Sequence, residues 1–266
     1  MSTRNDYLPC KCWFENGKLH RAYFAYDNDP ESPREWDNLS VIVNASRYNL
    51  CGRGDIETDD IEDWLIAETG INEDWYYNNK KRYGGIEKLV EKFIKEKCAA
   101  FTYVSVYDHS GICVYSDYCR GWDYSAIGFA YIPKDSKEVR SYRRSHTAEE
   151  TKKWAEEILE GEIHTLDQWC RGEVYGCVTE EYDTELEQWD KWSGDSCWGY
   201  YLGNDEEKDA INIIKEFSGN NELLDEDVVL QAIEDGNLDV LQGQQLIEFE
   251  FDSPLKSEVA FKSEAA

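Results

Sequence analysis

The chain concentrates negative charge in its last third, and this charge limits what the chain can fold into. Between Glu180 and Asp252 the sequence carries 22 Asp and Glu against three Lys, a net charge of −19 out of a total of −28. Self-repulsion of this size raises the free energy of any compact state. A chain that folds despite this repulsion must offset it with a substantial apolar core. The folded chain then creates a strong negative field.

The composition provides for such a core. The 266 residues are 41% hydrophobic and include 10 Trp and 18 Tyr, whereas disordered acidic chains are usually poor in aromatic residues. The nine cysteines are an odd number without a repeated spacing, which indicates free thiols in a reducing compartment rather than a disulfide framework. The sequence therefore predicts a folded acidic protein.

Several classes of location and ligand are disfavoured. No apolar run approaches the ~18 residues of a membrane span, and the first residues lack the apolar segment of a signal peptide. We therefore expect a cytoplasmic protein. DNA, RNA and anionic membranes need Lys and Arg to neutralise phosphates, so the net charge argues against direct binding to any of them.

Short aromatic and β-branched runs between turn-forming residues predict strands. These runs are Leu19–Tyr26, Phe101–Tyr107, Gly111–Tyr115, Ile127–Ile132, Glu173–Val178, Cys197–Leu202 and Leu246–Phe251. Helices are predicted at Asp59–Thr69, Ile86–Ile94, Thr147–Gly161, Glu206–Phe217 and Asp225–Asp235 from apolar spacing and capping residues. The mixture predicts an α+β fold, with a mixed or antiparallel sheet, packed amphipathic helices and an acidic C-terminal extension.

Aromatic content changes near Gly203. Upstream of that residue the chain is rich in Trp and Tyr, and downstream both residue types vanish while carboxylates dominate. This change predicts an aromatic-rich α+β core at 1–203 and an acidic extension of helix and strand at 204–266, frayed over its last fifteen or so residues.

Six stretches resemble a widespread group of uncharacterised proteins of bacteriophages and other mobile elements. They are Pro33–Leu39, Arg47–Leu50, Val106–Ile112, Trp122–Tyr131, Gly161–Gly176 and Asp195–Tyr201. The group usually has Trp-Asp-Ser-Gly-Gln where this chain has Trp122-Asp123-Tyr124-Ser125-Ala126. The resemblance implies a phage or mobile-element origin and supplies no activity.

One cluster is typical of an enzyme. Asp108, His109 and Ser110 are followed closely in the sequence by Asp123. A carboxylate of this cluster could orient the imidazole of His109, a group that titrates near neutrality. The same Asp-His-Ser-Gly run is also a good polar turn between strands. A metal-assisted or His-dependent hydrolase using Asp108, His109 and Asp123 is thus one alternative, and catalysis is not our expectation.

Cofactor motifs are weak. Cys10, Cys12, Cys113, Cys119, His20 and His164 lack the paired C-x2-C spacing of a zinc site. The glycines at Gly52-x-Gly54 and Gly84-Gly85 lack the context of a phosphate-binding loop. The sequence predicts neither a metal nor a cofactor.

Carboxylates at this density can imitate a polyanion. Duplex DNA presents a charge every ~1.7 Å of its axis, and acidic side chains on an ordered face can approach that density. The candidate contacts are Glu180, Glu181, Asp183, Glu185, Glu187, Asp190, Asp225, Glu226, Asp227, Glu234, Asp235 and Asp239. Aromatic residues for anchor contacts are nearby at Trp189, Trp192, Trp198, Tyr200 and Tyr201.

The leading hypothesis is therefore a non-enzymatic, anti-defence inhibitor. It would bind a host defence nuclease or another DNA-binding protein through its acidic surface, as a DNA mimic or by blocking a different surface. A phage structural or interaction protein whose acidity serves solubility is the other alternative. Self-association stays open, because two copies would extend the charged face although no coiled-coil heptad supports a dimer.

Overall fold

The fold is α+β and contains two mostly antiparallel sheets with helices packed on them. A computed structural model describes residues 3–109, 111–117, 119, 122–190 and 194–243. The predicted strand at 246–251 and the C-terminal tail lie outside these residues.

The strands are β1 (Lys11–Glu15), β2 (Lys18–Tyr26), β3 (Val41–Asn44), β4 (Ile56–Glu57), β5 (Cys98–Asp108), β6 (Ile112–Tyr115), β7 (Tyr124–Pro133), β8 (Tyr175–Asp183), β9 (Gln188–Asp190), β10 (Ser196–Tyr200) and β11 (Leu224–Asp225). The helices are α1 (Ile61–Thr69), α2 (Glu73–Tyr83), α3 (Gly85–Lys97), α4 (Lys137–Tyr142), α5 (Ala148–Arg171), α6 (Glu206–Phe217) and α7 (Glu226–Glu234). A further helical segment covers 238–243.

The chain divides into two compact units. The terminal unit consists of the residues up to Asn28 and those from Val174 onward, and the central unit is Asp29–Glu173. The predicted boundary at 203/204 differs from this division, because both chain ends contribute strands to one sheet. Residues after 203 also belong to the core of that sheet, since Ala210 and Ile214 of α6 are fully buried in it.

The sheet of the terminal unit has the strand order β10-β8-β2-β1-β11, with β9 paired to β8. On one face, Ala210 and Ile214 of α6 pack in a cluster with Phe24 and Cys177. On the other face, Val229 of α7 packs with Cys12 and Leu19. Adjacent residues of a strand point to opposite faces, so Cys12 and Trp13 of the same strand belong to different clusters.

The sheet of the central unit has the order β4-β3-β7-β5-β6 and is antiparallel except for the pair β3 and β4. The long helix α5 covers one face through a cluster that includes Leu159, Ile163 and Leu166. Helices α1 and α3 cover the other face, where Phe93 packs on Phe129. Within the described residues, no helix has the length and apolar composition needed to cross a bilayer.

Most predicted elements are confirmed, including the hairpin of β5 and β6. The helix that begins after Thr147 was expected to end at Gly161, and that prediction is wrong. The helix α5 continues to Arg171 because its apolar stripe continues through Ile163 and Leu166, while Gly161 lies on the exposed side. An exposed helix tolerates glycine at a cost of about 1 kcal/mol.

Candidate functional site

Negative charge is concentrated in the terminal unit. Its sequence carries 27 Asp and Glu against nine Lys and Arg, whereas the longer central unit carries 29 against 19. All the predicted partner contacts belong to the terminal unit, on β8, β9, β11, α7, the turns after β8 and α7, and the helical segment 238–243.

Glu180 is the first exception to the predicted role. Its side chain is fully buried on β8 and accepts hydrogen bonds from Arg21 Nε (2.8 Å), Arg21 Nη2 (2.6 Å) and the Tyr23 hydroxyl (2.9 Å). A carboxylate with three internal donors and no exposure cannot meet a partner. Its prediction as a contact is therefore corrected, and Glu180 stabilises the sheet.

Glu226 is the second exception. It is the first residue of α7, and it accepts bonds from Arg4 Nη1 (3.0 Å) and Arg21 Nη1 (3.0 Å) and forms an ion pair with Arg4 Nη2 (2.5 Å). The hydrogen bond from Arg4 is the main cause that lowers the pKa of Glu226. This carboxylate holds the start of α7 against Arg4 and against Arg21 of β2. Its predicted role as a partner contact is therefore also corrected.

Two more predicted contacts are neutralised within the terminal unit. The amine of Lys18 lies 2.8 Å from Glu181, and Lys11 forms an ion pair with Asp225. Together with Arg4 and Arg21, these lysines are all the cations of the first 28 residues. The N-terminal segment therefore neutralises part of the charge of the later segment.

Seven of the other predicted carboxylates form no ion pair with a described cation. Among the residues that the structure describes, no ion pair to Lys, Arg or His is formed by Asp183, Glu185, Glu187, Asp227, Glu234, Asp235 or Asp239. Most of these side chains are exposed, and Asp183 is half-buried because it accepts bonds from the amides of Glu185 and Leu186 in the turn after β8. These bonds hold the acidic turn in a defined shape.

Part of this surplus lines a groove of about 450 Å³. The apolar lining residues are Phe14, Leu19, Tyr182 and Leu238, which belong to one cluster of the core. The carboxylates that line the groove are Glu181, Asp183, Glu185, Asp190 and Asp239. Lys18 is the one cation of the described lining. We refer to this site as the acidic groove.

The hairpin of β1 and β2 supplies one wall of the acidic groove. Its turn is Asn16-Gly17, where both residues have positive φ (51° and 83°), as a tight two-residue hairpin turn requires. Sequence reasoning missed β1 and this wall. The Asn-Gly pair between two apolar runs is the signal that could have found them.

An apolar floor under carboxylates suits a long basic side chain. The methylene groups of Lys or Arg can lie along apolar surface while the charged head reaches acidic groups. Bidentate guanidinium–carboxylate bonds are among the stronger polar contacts in proteins. Among the described residues, no group of three or more His, Cys, Asp or Glu is arranged to hold a metal ion.

The predicted aromatic anchors are only partly available. The ring of Trp189 lies 4.3 Å from the Arg21 guanidinium and packs on Tyr182, so it supports the buried ion pairs. Tyr200 packs against the core beside Phe24. Trp198 is 40% exposed over Gly176, Tyr201 is half-buried, and Trp192 lies outside the described residues.

The enzyme-like cluster does not converge in the structure. The carboxylate of Asp108 accepts bonds from the Tyr48 hydroxyl (2.8 Å) and Arg47 (3.2 Å). Its contact with Asp123 is a bond from the Asp108 backbone N–H to the Asp123 carbonyl oxygen (3.1 Å). His109 is exposed, and no hydrogen bond among the described residues joins its imidazole to either carboxylate. Ser110 lies outside the described residues.

Comparisons of the chain with protein-family models, with curated proteins and with solved structures find no match.

Proposed function

We propose that this protein is a phage or mobile-element inhibitor that binds a host defence nuclease, or another DNA-binding protein, in the host cytoplasm. Binding is stoichiometric and uses the acidic surface of the terminal unit. The origin rests on the sequence resemblance, and the mode of action rests on one observation. That observation is the acidic groove, where Asp183, Glu185 and Asp239, which form no ion pair with a described cation, lie around an apolar floor.

Charge supports a competitive mode of action. A protein that binds DNA presents Lys and Arg side chains where the phosphates lie. Carboxylates on an ordered scaffold can occupy the positions of these phosphates, and the folded scaffold does not have to bend as DNA does. The negative field of the terminal unit also accelerates encounter with a basic protein, by up to several orders of magnitude at low salt.

The acidic groove supplies specificity that charge alone lacks. Leu19 and Tyr182 offer apolar contact to the stem of a partner's Lys or Arg. Asp183 and Asp239 offer acceptors for its head. Buried contacts of this kind dominate affinity at protein interfaces, while carboxylates at the rim mainly steer association.

The test compares two variants with equal charge. The groove variant carries Asp183→Asn, Glu185→Gln and Asp239→Asn, and the control variant carries Glu206→Gln, Glu207→Gln and Glu216→Gln on the exposed side of α6. Each is used to capture proteins from a nuclease-treated bacterial lysate, beside the wild-type protein. Nuclease treatment removes proteins that are bridged by nucleic acid.

We expect the wild type and the control variant to retain the same basic protein and the groove variant to lose it. Affinity of the purified pair should fall by roughly ten-fold or more in the groove variant. If both variants lose the partner equally, the carboxylates act only through net charge. If neither does, the acidity serves solubility and the proposal is wrong.

A further inference from the structure

Two cysteines of the terminal unit are direct cross-strand neighbours. Strands β8 and β10 are antiparallel, and Cys197 lies opposite Cys177 in their register. Opposite residues of an antiparallel pair point to the same face, with Cα atoms about 4.5 to 5.5 Å apart. Disulfides bridge Cα atoms about 4.4 to 6.8 Å apart, so the backbone already has the spacing of a bridged pair.

The two thiols differ in their access to solvent. Cys197 is exposed, because β10 is the edge strand of the sheet. Cys177 is fully buried in the cluster under α6, and this burial raises the pKa of its thiol to about 12. An oxidant therefore reaches Cys197 first, and Cys177 is the thiol that completes the bond.

We propose that Cys177 and Cys197 are a site of reversible disulfide formation with low-molecular-weight disulfides such as oxidised glutathione. The thiolate of Cys197 attacks the oxidised glutathione, forms a mixed disulfide and releases one reduced glutathione. The thiolate of Cys177 then attacks the Cys197 sulfur and releases the second. The two protein thiols are oxidised, one glutathione disulfide is reduced to two thiols, and the two protons that the cysteines lose are taken up by the two departing glutathione thiolates.

The bond would close a loop that carries four of the five carboxylates in the described lining of the acidic groove. The residues between the two cysteines include Glu181, Asp183, Glu185 and Asp190, which line the groove. Closure would tie the edge strand β10 to β8 at the far end of this segment. The inference rests on the strand register and does not depend on the proposed function.

The experiment treats the full chain with oxidised glutathione and follows intact mass and a non-reducing peptide map. We expect loss of two hydrogens and a peptide that joins Cys177 to Cys197. Because the second step needs the Cys177 thiolate, its rate should rise about ten-fold per pH unit between pH 7 and 9. The melting temperature of the oxidised terminal unit should rise by roughly 5 °C or more.

Variants separate the two steps. Cys197→Ser should abolish the joined peptide, and its exposed position makes folding safe. Cys177→Ser should stop at one glutathione per chain, bound to Cys197, while the control Cys113→Ser on β6 should behave as wild type. A wild-type chain that takes up glutathione at Cys197 and never releases it, or links Cys197 to another cysteine, would overturn the proposal.

Discussion

The buried carboxylate of Glu180 tests whether the acidic residues divide into those that stabilise the fold and those that stay available for binding. Glu180→Gln preserves the shape of the side chain but removes its charge beside Arg21. Separating a buried pair costs about 3 to 5 kcal/mol, because the remaining charge has no partner. Here Arg21 keeps Glu226 at 3.0 Å, and the new amide oxygen still accepts one bond. We therefore expect a loss of about 2 to 3 kcal/mol.

The matched control is Glu185→Gln. This residue lies in the turn that follows the same strand, is exposed and makes no ion pair with a described cation. We expect no measurable change in its stability. Urea unfolding measures both variants, and hydrogen exchange with mass spectrometry should localise the loss in Glu180→Gln to β2, β8 and the start of α7.

Two results would refute this reasoning. A loss below about 1 kcal/mol in Glu180→Gln would mean that the buried network contributes little to the fold. Equal losses in both variants would mean that the exposed turn is also held by its carboxylates. Either result would remove the distinction between carboxylates that stabilise the fold and those that stay available for binding.

Three further predictions test other parts of the structure. Because the Arg4 bond lowers the folded-state pKa of Glu226 below the ordinary value of 4.5 for a glutamate, the stability that this carboxylate contributes is present above pH 4.5 and is lost as the pH falls through the lowered pKa. Urea titrations from pH 6 to 3 should therefore show a smaller decline in Glu226→Gln than in wild type. Gly128→Ala should destabilise the central unit by at least about 1 kcal/mol, measured by urea unfolding, because Gly128 has φ 150° and a Cβ there would lie 1.8 Å from the Val43 carbonyl oxygen. Lys18→Gln removes the one cation of the described groove lining, and calorimetry at low salt should show partner binding strengthened by roughly two- to three-fold. Weaker binding in Lys18→Gln would contradict the electrostatic role of the groove.

The sequence predicts the secondary structure better than the tertiary arrangement. Apolar spacing locates α3, α6 and α7 because an amphipathic helix repeats its apolar face locally. It does not show that residues up to Asn28 pair with strands after Val174, because strand pairing over such a separation leaves no local pattern. The predicted boundary near Gly203 followed composition, and composition does not report which strands share a sheet.

The candidate site shows the same limit. Charge counting found the acidic segment and could not distinguish Glu180 from Glu185, because burial depends on which cations meet each carboxylate in the folded chain. Arg34 illustrates this for a cation, because it is buried and bonds Asp55 at 2.6 and 2.9 Å.

Displacement of DNA measures the central claim most directly. The purified partner is bound to a fluorescent DNA duplex, and the anisotropy is followed as the protein is added at two salt concentrations. We expect release of the duplex at one equivalent of wild type or of the α6 control variant, and a midpoint roughly ten-fold or more higher for the groove variant. A complex of protein, partner and DNA together, or equal midpoints for all three proteins, would contradict the claim that the acidic groove takes the place of a polyanion.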